Sequence, residues 1–545
     1  MDPTLPHALH FPLFPDPNDW RRRTAVRDAQ PVAPWTPAER AALWEVNRGA
    51  GEHAAVKRNI EALGDPATRV VVAGQQAGLF LSPLYILYKA LAAVRWAERL
   101  ADLLERPVVP VFWVASDDHD FEEVRHTTYL NREWRCKRWT YGTPGFDPSG
   151  RSVFDIPVAP EVLESFFALL DTDSSESVVK KSQIHRWRSM ACESRTLEDF
   201  FLRGLAHLCG SMGLVLFPPR LEPVRRRAIP VMEREIRHPG ALSRRLAEKS
   251  GGGKSPIHRL GHEVNFFLHR AGRRCKVTVD GERFLIHAPG APVSVGAEAL
   301  LEELHQTPTH FSPNVVTRPV VQDLVLPTLA LVAGPGEIRY LNQLADAATH
   351  DFYAVPACAV LPRPRVLLLE PRIERILGKR QIPLDLLERE AWGDVEAKLA
   401  GSELPEDLNR VLADLPGDAQ AVLARLRTRL GELAHRPSVG TAFEKTERAW
   451  LQAADRLQDR VRQELRGEAS TGADQRERVL EALCPGGQPQ ERVFGPLAPF
   501  LIQYGSDLIP WLLRKLDLDR RDLQVLRLGE GISDGTFQTE KSESE

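Results

Sequence analysis

Pro107 to His126 reads PVVPVFWVASDDHDFEEVRH, and its two halves belong to different chemistries. Val108 to Ala115 is apolar, β-branched and aromatic, the composition of a short strand buried on both faces. From Ser116 onward the run turns titratable, with Asp117, Asp118, His119, Asp120, Glu122, Glu123 and His126. Open α/β sheets bind ligands beyond the carboxyl ends of their strands, so this junction predicts a site at a sheet edge. The alternative is a solvated acidic turn whose carboxylates favour the dipole of a following helix. The two histidines, and a second loop of the same kind upstream, favour the site.

That second loop follows Arg69 to Ala73, RVVVA, another short buried-strand run. It continues as GQQAGLFLSPLYILYKALAAVRWAERL, in which Gly74 and Gly78 mark the loop. Ser82 is the expected N-cap and Pro83 the expected first helical residue, ahead of a stripe of Leu84, Tyr88 and Leu91. Residues 69–115 therefore read as a βαβ unit in a parallel sheet. Two of its strands deliver polar loops to one edge.

The chain has 545 residues, enough for a large core and more than one domain, and a formal net charge of −3. That balance argues against a nucleic-acid partner, and the Arg21–Arg23 and Arg225–Arg227 patches read as solvated faces. The six cysteines are scattered without a CxxC pair, which argues against a zinc ribbon or a disulfide framework. No apolar run reaches the length of a membrane span, and the amino terminus lacks the pattern of a signal peptide. The expectation is a soluble, cytoplasmic protein.

Farther along, Leu214 to Pro218 reads as a strand and Cys275 to His287 as a hairpin around Asp280-Gly281. Lys249 to Pro256, KSGGGKSP, lacks the first glycine of a phosphate loop because Glu248 stands there, so it reads as a flexible loop. Leu326 to Ala333 is a further buried strand, Gly334-Pro335-Gly336 a turn, and Glu337 to Leu344 a helix. Such a turn offers N–H groups to an anion, although tight packing explains the glycines equally well. After Pro371, Val422, Leu426, Leu430 and Leu433, and then Phe443, Trp450, Ala454, Leu457, Val461 and Leu465, recur at heptad spacings. This predicts two long helices breaking near Pro437, either as a projecting, dimerising arm or as a buried bundle. The expected division is a core over residues 1–375, an arm over 376–470, a segment packing on the core over 471–532, and a disordered tail over 533–545.

Five blocks carry a family likeness: Gly74 to Lys89, Val111 to His126, Phe311 to Thr328, Gly334 to Leu341 and Pro489 to Leu497. In order and over most of the chain they resemble the cysteine-adding enzymes of bacillithiol biosynthesis, the BshC cysteine ligase family. The resemblance implies a Rossmann-like α/β core related to class I aminoacyl-tRNA synthetases, with insertions and a coiled-coil arm that makes a homodimer. It also implies a reaction joining the carboxyl group of L-cysteine to the amine of glucosaminyl-malate.

Amide formation from a free carboxylate needs an activated carboxyl group, which implies ATP with Mg2+ and preorganised donors for the developing charge. Gly74, Gln75, Gln76 and Gly78 are candidate donors, joined by Tyr85 of the SPLY segment and by Gly334, Gly336 and Glu337 of the later turn. Lys89 and Arg318 are candidate phosphate or carboxylate partners, with structural salt bridges as the alternative. The attacking amine needs a general base. His119 is the first choice, oriented by Asp118 or Asp120, with Glu123 and His126 next. Asp117, Asp118 and Asp120 also suit a substrate ammonium, and Asn314, Gln322 and Ser312 suit substrate hydroxyls. On a helix, His119, Glu123 and His126 would share one face and permit zinc, but no HExxH or nearby cysteine supports it, and no metal is expected. Two other readings stay open: a nucleotidyltransferase-like enzyme on another amino substrate, and a non-catalytic dimeric scaffold or activator.

Overall fold

The computed structural model describes residues 17–249, 255–400, 406–435, 437–529 and 532. The expectations for the first sixteen residues, for Ser250 to Lys254 of the glycine-rich loop and for the tail from Ser533 lie outside the described residues. So do those for the side chains of Ala454, Val461 and Leu465. The chain divides into two compact units, Met1–Leu368 with Gln488–Glu545, and Leu369–Gly487.

The first unit is organised on a parallel sheet. Its strands in chain order are β1 (Arg69–Gln75) and β2 (Val108–Val114), then, after a small hairpin of β3 (His126–Leu130) and β4 (Cys136–Thr140), β5 (Val215–Phe217). An antiparallel sheet follows, from β6 (Glu263–Arg270), β7 (Arg273–Asp280), β8 (Arg283–Ile286), β9 (Val293–Gly296) and β10 (Phe311–Pro313). The parallel sheet is completed by β11 (Thr328–Ala333) and β12 (Ala359–Pro362), in the order β12-β11-β1-β2-β5. Strands added after β1 thus lie on both sides of it, and loops diverging from such a switch point leave a crevice at the carboxyl edge.

Val70 to Ala73 and Val111 to Val114 are essentially inaccessible, as the unbroken apolar runs require. Each such side chain contributes about 1.5–3 kcal/mol on burial. The βαβ reading of residues 69–115 holds, with β1 and β2 parallel and in register from Arg69–Val108 to Gln75–Val114. Its helix, however, is Tyr85–Leu104, with Leu84 at the N-cap position. Ser82 and Pro83 belong to the preceding loop because Gly78 and Leu79 close a turn there, accepting hydrogen bonds from Leu81 and Ser82. The Asp280-Gly281 hairpin forms as read, with Gly281 at φ +60°.

In the second unit the two long helices are Glu406–Leu430 and Pro437–Leu483, interrupted near Pro437 as the sequence indicates. The later helix runs through the boundary expected at residue 470. Most of the expected seam does not lie between these helices: Val422, Leu426, Leu433, Trp450 and Leu457 are 38–51% exposed, whereas Leu430 and Phe443 are half-buried, with Arg427 over the Phe443 ring, and Leu423 is buried. Shifting the packed position by one residue rotates a helix by about 100°, which turns most of the stripe outward. Residues from Gln488 pack within the first unit, where Gln490 brackets the backbone of Leu368 and Glu491 pairs with Arg363. Among the described residues no helix is long and apolar enough to cross a membrane.

Candidate active site

The loop after β1 is held in a demanding shape. Gly74 lies against β2, and a Cβ there would sit 2.9 Å from the Trp113 carbonyl oxygen. At Gly78 a Cβ would collide with the Ser82 carbonyl, so both positions need glycine. Phe80 and Leu81 adopt φ of 53° and 58°, a strained region for side chains of this size. Phe80 offsets that strain from within an aromatic cluster, 4.8 Å from Phe166, 5.3 Å from Phe200 and 5.8 Å from Trp187.

Lys89, expected to meet phosphate, is buried beneath this loop. Its ammonium donates to the Gly74 carbonyl at 2.9 Å, to Gln75 Oε1 at 2.8 Å and to Glu337. An ammonium has three N–H bonds, and all three are engaged. Burial pushes the Lys89 pKa below its ordinary value against the pull of Glu337. Burial alone would raise Glu337, but Lys89, the Gly334 N–H and Arg318 hold its carboxylate below the usual range. The later turn is likewise occupied. Its helix starts at Pro335, two residues earlier than read, and Glu337 accepts the Gly334 N–H at 2.8 Å. The anion at that helix end is the protein's own carboxylate. A Cβ on Gly336 would meet nothing within 4 Å, so packing does not demand glycine there. Gln75 Nε2 reaches the Tyr85 hydroxyl at 3.4 Å, and the Arg363 guanidinium covers the Tyr85 ring.

The β2 loop is arranged differently. Ser116 is bound to Glu198, which pairs with Arg220, and Asp117 is bound to Arg225. Burial would raise Asp117, but Arg225, Arg274 and His269 hold it low, so it serves as a fixed charge beneath the loop. Asp118 faces outward, taking Gln76 Nε2 at 2.7 Å and the His119 backbone N–H at 2.7 Å. Asp120 caps the short helix Phe121–Val124 by accepting the Glu123 N–H. Glu123 is raised by burial and by Asp120 and Asp118. His119 is lowered, by burial and then by Arg274, whose Nη1 lies 3.4 Å from its Nδ1. A guanidinium only donates, so the neutral ring carries its proton on Nε2.

The helical face expected to group His119, Glu123 and His126 does not form. The helix has a single turn and ends at Arg125, whose side chain and carbonyl bond Tyr141 and draw the chain into β3 at His126. His126 lies outside the cavity lining, its Nδ1 beside the Glu122 carbonyl. Among the described residues no group of three His, Cys, Asp or Glu side chains converges in a way that could hold a metal ion.

The facing wall comes from the antiparallel sheet and the helix Arg318–Val325. Arg274 stacks 4.0 Å over Phe267, donates to the Pro313 carbonyl at 2.7 Å and approaches Asp118 at 3.5 Å. Asn314 and Arg318 line the cavity, but Ser312 and Gln322 stand behind it. Ser312 is bound to His269 and Arg274, and Gln322 accepts from Arg318. Arg225, read as part of a solvated patch, is instead buried against Asp117, and Arg259, Arg274, Phe267 and Tyr340 escaped the sequence reading. Arginines fill every segment of this chain, and nothing local marks those that turn inward.

Together the loops after β1, β2 and β11 and this wall enclose a cavity of about 430 Å³. One side presents Asp118, His119 and Glu123, and the other Arg259, Arg274 and Arg318. Such an arrangement can hold an ammonium group against carboxylates, accept its proton and place an anion opposite. The nucleotide set read from the sequence fits only in part. Lys89 and the Gly334 turn are occupied, which leaves Gln76, Arg259 and Arg318 among the donors that line the cavity.

Family models match both parts of the chain. The bacillithiol biosynthesis BshC N-terminal Rossmann-like domain covers residues 10–364, and the BshC C-terminal coiled-coil domain covers residues 366–528. A curated relative from Symbiobacterium thermophilum, named "Putative cysteine ligase BshC", is 30% identical over 527 residues, 92% of each chain. One of the same name from Salinibacter ruber is 31% identical over 94% of this chain and 93% of its own.

Proposed function

The chain belongs to the BshC family of bacillithiol biosynthesis, and from that premise we propose that it is an amide-forming ligase. It joins the carboxyl group of L-cysteine to the amine of glucosaminyl-malate. The observation that carries this reading is the cavity with opposed charges at the carboxyl ends of β1 and β2, where an amine and an acid can be held face to face. Glu123 is the proton acceptor for the attacking amine, since its raised pKa brings a carboxylate towards the range a general base needs. His119 presents Nε2–H as a donor, and Asp118, tied to Gln76, holds the substrate ammonium before it is deprotonated. ATP with Mg2+, taken as co-substrate, supplies the activation that a free carboxylate requires.

We place the enzyme in the cytoplasm, in keeping with six free cysteines, and propose a homodimer through the exposed stripe of Val422, Leu426, Trp450 and Leu457. Exposed apolar stripes of this kind mark interaction surfaces. Sedimentation of wild type against L426K/L457K tests the dimer, with a shift to monomer expected. For the reaction, purified protein is incubated with L-cysteine, glucosaminyl-malate and Mg-ATP and followed by mass spectrometry. Bacillithiol with AMP would identify an acyl-adenylate route, and bacillithiol with ADP an acyl-phosphate route. No amide product under reducing conditions would overturn the ligase reading in favour of a scaffold.

A further inference from the structure

The arginines of the cavity are not equivalent. Arg274 is fully committed, to Pro313, Ser312, Asp118 and His119. Arg318 has no ion pair among the described residues. Its Nη1 donates to the neutral amide of Gln322 at 3.3 Å, and its inaccessible Nη2 has no hydrogen-bond partner. Arg259 donates to the Val264 carbonyl at 2.6 Å and leaves Nε unpartnered. Its ion-pair partner among the described residues, Glu263 at 3.4 Å, also pairs with Lys276, and the buried Glu235 acts on it from farther off. The carboxylates that act on these two cations are each engaged elsewhere: Glu337 is bound by Lys89, Asp323 pairs with Arg27 and His350, and Glu263 is shared with Lys276. A covered guanidinium with an unpartnered N–H is destabilising, and a ligand anion is the ordinary remedy. Tyr340, which also lines the cavity, adds a polar group to the same wall.

We propose that Arg259 and Arg318 are specificity residues that seat a short dicarboxylate, the diacid end of the amine substrate. This rests on the ligase reading and deepens it by assigning the two ends of one substrate to the two walls. The guanidiniums come from separate elements, Arg259 before β6 and Arg318 at the head of its helix, so each can take one carboxylate. The amine of the same molecule is then directed to Asp118 and Glu123.

L-malate is the probe, because its binding requires no turnover. Calorimetry on the full chain should show L-malate bound by wild type and by R283Q, an exposed hairpin control. Binding should be about 10–100-fold weaker in R259Q and R318Q, the loss of one charged hydrogen-bond set. R259K and R318K, which keep the charge, should recover part of the affinity, and melting curves check that each variant folds. In turnover, KM for glucosaminyl-malate should rise by the same factor while KM for cysteine holds. Unchanged malate binding in both Gln variants would overturn the proposal. So would displacement of malate by inorganic phosphate, or by Mg-ATP, at the same arginines, which would make the seat a phosphate site. If malate binds through these arginines but no amide is formed, the seat stands and the ligase reading falls.

Discussion

The loops after β1 and β2 sit side by side on one sheet edge, and both are rich in polar residues. After β1, Lys89 donates to the Gly74 carbonyl, Gln75 and Glu337, and no N–H of the lysine remains for a ligand. After β2, Asp117 and Ser116 are bound from beneath by Arg225 and Glu198, while Asp118, His119 and Glu123 line the cavity. One loop is a clamp and the other is a working wall. Polar composition at a strand end predicts that something is held there. Counting donors and acceptors tells whether it is protein or ligand.

The largest expected effect strikes the clamp. K89M leaves the half-buried Glu337 without its ion-pair partner and should cost up to about 3 kcal/mol, seen as an early unfolding transition in denaturant. K89M/E337Q should recover much of that loss. If K89M melts like wild type and only activity falls, Lys89 belongs with the working wall and the comparison breaks.

E123Q on the opposite loop should do the reverse. A fall in kcat of about a hundredfold or more is expected for a lost general base, with the melting temperature unchanged. An E123Q enzyme with full kcat would return the role to His119.

Acid sensitivity lies between these extremes. His207 and His269 are pushed down from 6.5 to about 4, chiefly by burial. Between those values the unfolded chain binds protons that the folded one refuses. Stability is therefore full above pH 6.5 and declines as the pH falls towards 4. Melting temperature against pH checks this, and H269Q, behind the working wall at Ser312, should flatten the decline. The smallest effect is at the surface. R226Q removes an exposed pair with Glu222 and should shift stability by less than about 0.5 kcal/mol.

Much of this architecture is legible along the chain. Val108 to Ala115 and Arg69 to Ala73 announce buried parallel strands because both faces must be apolar, and Gly74 and Gly78 mark places where backbone meets backbone. The local details went astray where tertiary packing overrides local preference. Ser82 and Pro83 suit a helix start but lie in a loop tied down by Phe80. The heptad spacing marks two paired helices, yet Val422, Leu426, Leu433, Trp450 and Leu457 face outward while Leu423 packs inward.

By itself the sequence determined the α/β class, the two polar loops on one edge, the paired long helices and the family, since each is carried by contiguous residues whose period or spacing has one physical reading. Only the tertiary structure decided which charges work. Lys89 meets Glu337 across 248 residues and Asp118 meets Arg274 across 156, and no local pattern encodes such meetings. A charged side chain is free or engaged according to what the fold brings within 3 Å of it, and that is settled by packing rather than by composition.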